Sequence, residues 1–323
     1  MSPAASKLDR PALDVVARIA RRQLRAADEA WQHVQSRHHE HALHDFRVAL
    51  RRLRSTLRAY GAQFDDVLRK KDRRRLQRLA DATSQARDAE VQIAHLRTLR
   101  ADLGPNEQAT VALLLRALRR RMRDGYAQAN RVVSQLYPKT ARAVCERLED
   151  AATADGDPPF RSVLGLLLSG HARDLRPLLE QVPAIHDVQP LHQARIEVKR
   201  VRYLLEPIRR SLPGSALLIG RLSRLQDSLG ELHDYQVLEQ TIGAPRLSGI
   251  ERREAAGLTR AVRERQRRVY GELVRDWLGE RAVVVLAPLD LLSERLGTTR
   301  RGLLSFRPEP QRRSKTVVGA QRR

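Results

Sequence analysis

The chain of 323 residues carries 61 Lys and Arg against 38 Asp and Glu, a formal net charge of +23, with one cysteine and 4% aromatic residues. One cysteine excludes an internal disulfide framework. The first 22 residues hold no apolar signal core, and Pro288 and Asp290 interrupt the longest apolar run well short of the ~18 residues a membrane span needs. Residues 298–323 account for a net +7 (eight basic residues and Glu309), which leaves +16 on the body, so the expectation is a cytoplasmic protein, off the membrane, that meets a polyanion.

Apolar residues recur at spacings of three and four, and no stretch alternates with Val, Ile or aromatic enrichment, so the chain reads as all-α. The pattern predicts helices over 11–36, 41–60, 68–100 and 108–150, then 159–181, 190–210, 215–241, 250–279 and 283–296. Breaks fall at Gly61, Gly104-Pro105, Gly156 to Pro159, Pro183, Pro190, Pro213-Gly214 and Gly243 to Pro245, where continuing a helix costs most. Residues 1–10 read as a flexible N-terminus and 297–323 as a basic disordered tail that adds non-specific anion affinity. The Gly156 to Pro159 break divides the remainder into 11–151 and 159–296.

These halves resemble each other. His44 to Arg54 (HDFRVALRRLR) aligns without a gap on His192 to Arg202 (HQARIEVKRVR), each histidine and basic position of the first meeting one in the second. Arg75-Leu76-Gln77-Arg78-Leu79 matches Arg221-Leu222-Ser223-Arg224-Leu225, and the same register carries Asp88 and Val91 onto Asp234 and Val237. Arg119, Arg121, Arg123 and Tyr126 match Arg263, Arg265, Arg267 and Tyr270. The offset shortens from 148 to 146 to 144, and only across loops, as when helices are kept and connections vary. Two tandem four-helix bundles related by pseudo-two-fold symmetry are the simplest architecture.

At about 100° per residue, His44, Arg47, Arg51, Arg54 and Arg58 share an arc of roughly 80°, while Phe46, Ala49, Leu50, Leu53 and Leu57 fill another. The second copy sets His192, Arg195, Lys199 and Arg202 against Ala194, Val198, Val201 and Leu205. A solvated face ordinarily mixes signs, whereas like charges one turn apart repel, so an anion is needed to offset them. Steps of three or four residues place successive guanidinium groups about 5 to 6 Å apart along the axis, suited to neighbouring phosphates of one linear chain. Arginine forks donate two hydrogen bonds to one phosphate, and Lys199 acts as a point charge. Lys71, Arg75 and Arg78 form a second stripe, repeated in Arg221 and Arg224. If the pseudo-two-fold turns the halves toward each other, these stripes line a basic central channel that focuses positive potential.

The paired segments with a leading histidine and the RVALRRLR run resemble the signature of CHAD domains, the conserved-histidine α-helical domains, over about residues 10 to 296. The resemblance implies a pair of four-helix bundles around a basic pore that binds inorganic polyphosphate without catalysis, in the cytoplasm and at polyphosphate or storage granules. It implies ligand roles for His44, Arg47, Arg51 and Arg54 in one half and His192, Arg195, Lys199 and Arg202 in the other, supported by Arg75, Arg78, Arg221 and Arg224. Glu206 stands where the first copy has Arg58, and Pro207 follows it, which weakens or kinks the distal end of the second stripe. CHAD domains often accompany a triphosphate-tunnel (CYTH) domain, for which this chain has no room.

The remaining motifs read as structural. His38, His39, His41 and His44 invite a metal, but the second half has no matching set, so no metal or organic cofactor is expected. Asp88 and Asp234 read as acceptors for neighbouring cations, Tyr126 and Tyr270 as packing, and Cys145 as a core or boundary residue. Walker loops, dinucleotide fingerprints, zinc-finger spacings and nucleophile motifs are absent from the sequence. Nucleic acid is the alternative partner, bound weakly and non-specifically, although aromatic stacking platforms are scarce. A metal-dependent phosphohydrolase is a further alternative, but it lacks paired acids on the stripes. The sequence leaves the oligomeric state open.

Overall fold

The computed structural model describes residues 6–35, 42–101, 103–151, 153, 156–243 and 252–297. Among them every regular element is helical: α1 (Ala12–Gln35), α2 (Ala42–Ala59), α3 (Lys70–Ala82), α4 (Ser84–Arg100), α5 (Pro105–Glu149), α6 (Phe160–Glu180), α7 (Val188–Leu205), α8 (Ser215–Gly243), α9 (Arg252–Trp277) and α10 (Val283–Gly297). The expected basic tail, and the His38, His39 and His41 part of the expected histidine cluster, lie outside the described residues.

Two expected helices end early. The segment 68–100 is α3 and α4, parted at Thr83. There the Thr83 and Ser84 hydroxyls both donate to the Ala80 carbonyl, at 2.9 and 3.1 Å, drawing it from the helical ladder. The segment expected over 190–210 stops at Leu205 and tightens into a single 3-10 turn, Glu206–Ile208, because Pro207 has no N–H to continue it.

The inward stripes are buried as their periodicity requires. Phe46, Leu50 and Leu53 of α2 and Ala194, Val198, Val201 and Leu205 of α7 are wholly inaccessible. Phe46 sets its ring edge against Tyr137 of α5, with centroids 4.8 Å apart, and Trp31 of α1 closes the group at 6.0 Å. Tyr137 donates to Asp28 at 2.6 Å, so α1, α2 and α5 share one anchor. On α7 the buried Glu197 carboxylate accepts from Gln193 (3.0 Å) and Arg200 (2.5 Å) and meets His171 Nδ1 of α6 at 2.7 Å. These contacts fix the rotation of α2 and α7 about their own axes, and therefore where their cations point. At the α4–α5 crossing, Gly125 brings α5 onto the Ala86 backbone, where a Cβ would stand 2.9 Å from the Ala86 nitrogen.

The halves meet through counterparts: α1 against α6, α2 against α7, α4 against α8, and α5 against α9. Pro11 and Pro159, 148 residues apart, form an antiparallel bridge, flanked by Ala12 N–H to Pro158 O at 2.9 Å and Phe160 N–H to Arg10 O at 2.8 Å. That separation is the offset between the two His-led segments.

Candidate polyanion site

Where α2 lies against α7, the outward stripes of the two halves come together. Lys199 of α7 feels the charges of Arg51 and Arg58 of α2, together with Arg195 and Arg200 of its own helix. Burial first, then these four cations, lowers its ammonium pKa from 10.5 to about 8. Among the described residues, neither Lys199, Arg51, Arg58 nor Arg195 has a carboxylate within ion-pair distance. Arg51 Nε is buried with no hydrogen-bond partner among the described residues. The seam is therefore a patch of positive charge that the fold itself leaves uncompensated.

Each half adds a second layer, from α4 in the first and α8 in the second. Arg47 donates to Ser84 at 3.0 Å and more weakly to Thr83 at 3.4 Å, at the start of α4. Arg195 crosses α8 at Gly230, where a Cβ would stand 3.9 Å from its Nε. Ser84 and Gly230 are 146 residues apart, the offset of their segments. His44 is held below its ordinary range by burial first and by Arg87 second. His192 is likewise lowered by burial, then Arg195 and Lys199, and its ring lies 5.2 Å from that of His233 on α8.

Other predicted residues have acceptors within the protein. Arg54 donates to Gln77 of α3. Arg202 donates to Gln226 at 3.0 Å and to Glu206 at 2.8 Å, and its guanidinium stands 4.9 Å over the Tyr203 ring. Glu206 also meets Arg52 of α2 at 3.6 Å, so the acid that interrupts the second stripe ties the halves together. Arg221 donates to the Val284 carbonyl of α10 at 2.9 Å. Lys71, Arg78 and Arg224 are exposed and Arg75 is half-buried, and among the described residues no hydrogen bond or ion pair joins any of the four to the α2–α7 seam. Two clefts of about 610 and 460 Å3 are lined by none of these cations.

Sequence reasoning missed Arg87 and His233. They occupy counterpart positions directly before Asp88 and Asp234, and each sits beside the leading histidine of its half. The 146-residue register that matched the two aspartates was the signal that could have found them. Asp88 acts electrostatically on Arg47, and Asp234 Oδ2 stands 3.7 Å from His95 Nε2 of α4. Among the described residues one His/Asp/Glu trio, His171, Asp174 and Glu197, is compact enough for a metal, but both Glu197 oxygens are already engaged as described above. No described helix is long and apolar enough to cross a membrane.

A family model described as the CHAD domain matches residues 16–243, more than half of the chain. Two solved structures are similar in fold. PptA from Streptomyces chartreusis shares 18% identity at a TM-score of 0.60, covering 82% of this chain and 100% of its own. The CHAD domain from the plant Ricinus communis shares 18% identity at a TM-score of 0.59, covering 94% of this chain and 96% of its own. No curated protein matches.

Proposed function

The chain belongs to the CHAD domain family, and from that premise we propose that it binds inorganic polyphosphate along the α2–α7 seam, without catalysis and without a metal or organic cofactor. The observation that carries this is the cationic cluster of Lys199, Arg195, Arg51 and Arg58, drawn from both halves and lacking a nearby carboxylate. Such a cluster costs folding free energy unless an anion fills it. Its members rise along two helices, Arg195 and Lys199 one turn apart and Arg51 and Arg58 two turns apart, so the charge forms a line rather than a point, and a thin polymer of phosphates matches a line. The paired counterpart contacts of the halves support a pseudo-two-fold arrangement of two bundles, with the seam as its basic centre. The expected setting is the cytoplasm and polyphosphate or storage granules.

Arg51 and Lys199 act as the principal ligands, one from each half. Arg47 and Arg195 are braced against α4 and α8, and His44 and His192 cap the two ends. Arg54 and Arg202, already hydrogen-bonded, hold the walls. Nucleic acid is the competing ligand. Labelled long-chain polyphosphate, competed with DNA and RNA of matched charge at about 150 mM salt, separates the two. Preference for polyphosphate by tenfold or more is the expected outcome, and an equal preference for nucleic acid overturns the proposal. Incubation with polyphosphate and Mg²⁺ or Mn²⁺ should release no orthophosphate. Release that is lost in Asp88→Asn or Asp234→Asn would establish a phosphohydrolase instead.

A further inference from the structure

We propose that the two ends of the seam are chemically unequal subsites: the end built from His44, Arg47, Arg51 and Arg87 holds phosphate with largely fixed charge, whereas the end built from His192, Arg195, Lys199 and His233 takes up protons from solvent as phosphate binds. The inference rests on the polyphosphate reading above and adds to it a direction along the seam and a dependence on pH.

The asymmetry is written in counterpart positions. Arg51 of the first half is answered by Lys199, and Arg87 by His233. Of the four cations at the first end, three are arginines, which stay charged at any working pH; of the four at the second, only Arg195 is. The geometry makes the titratable end frustrated when empty. The His192 and His233 rings lie 5.2 Å apart with planes inclined by 43°, both beside Arg195, and His233 Nδ1 is buried with no hydrogen-bond partner among the described residues. Two imidazolium ions and a guanidinium cannot share that space cheaply without an anion.

The groups facing this end from each packed element are few. From α2 come Arg51 and Arg58, and from α7 itself Arg195 and Arg200. From α8 comes Asp234, which favours protonation of His233 but stands 3.7 Å from His95 of α4. From α6, His171 and Asp174 lie with Glu197, whose carboxylate is taken up by His171, Gln193 and Arg200. Distal to the end, Glu206 is held by Arg202 and Arg52. Burial acts first and the surrounding cations add to it: both imidazoles are held below their ordinary range and Lys199 is near 8. A phosphate chain placed there reverses the local field. Each nitrogen then gains a proton from water and donates a hydrogen bond to a phosphate oxygen. At the first end Glu90 stands 3.2 Å from Arg87 and Asp88 acts on Arg47, and only His44 can titrate.

The test is calorimetric titration of the full chain with long-chain polyphosphate near pH 7.5, in buffers of different ionisation enthalpy, repeated from pH 6.5 to 8.5. Heat that varies with the buffer reports proton uptake. The expected result is net uptake and an affinity that falls with rising pH, by about tenfold per pH unit for each proton taken up. His233→Arg combined with Lys199→Arg copies the first end onto the second. It should bind at pH 6.5 and lose most of the uptake and of the pH dependence. Arg87→His makes the reverse change and should increase uptake. Wild-type binding with no buffer-dependent heat, or uptake unchanged in the double variant, overturns the inference and leaves polyphosphate binding standing. Absence of wild-type binding at pH 6.5 overturns the polyphosphate reading itself.

Discussion

Replacing Lys199 with methionine should make the folded chain more stable and a poorer binder at the same time. The ammonium is moved from 10.5 to about 8 by burial and by Arg195, Arg51, Arg200 and Arg58. At 1.36 kcal/mol per pH unit, that gap corresponds to about 3 kcal/mol of disfavoured charge, and partial contact with water reduces the usable part to about 1–2 kcal/mol. The sign follows from proton counts. Below pH 8 both folded and unfolded chains hold the proton, and the folded state bears the whole cost. Between about 8 and 10.5 the unfolded chain binds more protons than the folded one, so wild-type stability rises through that window. Urea unfolding followed by circular dichroism should therefore show Lys199→Met ahead of wild type at pH 7, and the two converging toward pH 10.5. Polyphosphate affinity at pH 7 should drop about tenfold or more, the value of one charge-assisted hydrogen bond of about 1.5–3 kcal/mol. A variant less stable than wild type at pH 7, a gain that does not shrink as pH rises, or an unchanged affinity refutes the reasoning.

Other perturbations separate the site from the scaffold. Asp72, fully buried on α3, pairs with Arg147 of α5 at 3.0 Å, so Asp72→Ala should cost about 3–5 kcal/mol of stability while leaving polyphosphate affinity intact below its melting temperature. Arg51→Ala should lower the slope of log affinity against log salt by about one, in the manner of a lost phosphate contact, and an unchanged slope would place the ligand elsewhere. Deleting residues 298–323, which carry a net +7, should cost at most about tenfold in affinity, and abolition of binding would assign the site to that segment.

The parts of the site that were legible in the sequence are those that helical periodicity controls. Once Phe46, Leu50 and Leu53 are committed to the core, Arg47 and Arg51 have one direction left, and the same holds for Arg195 and Lys199 opposite Ala194, Val198 and Val201. A helical wheel does not reveal what arrives from another helix. Arg54 and Arg202 look equivalent to their neighbours on the stripe, yet Gln77 and Gln226 reach them from α3 and α8. Arg221 lies on a repeated basic stripe and is spent on a carbonyl of α10. Arg87 and His233 stand on the helices opposite the stripes, where no shared period links them to His44 and His192. The division at Thr83 was hidden for a local reason: the Thr83 and Ser84 hydroxyls compete for the Ala80 carbonyl, and neither residue interrupts the apolar pattern.

The most direct measurement is the structure of crystals grown with long-chain polyphosphate. Successive phosphate groups running from Arg47 and Arg51 of one half to Lys199 and Arg195 of the other are the predicted result. Phosphate density confined to the exposed arginines of α5 and α9, with the α2–α7 seam empty, would contradict the account.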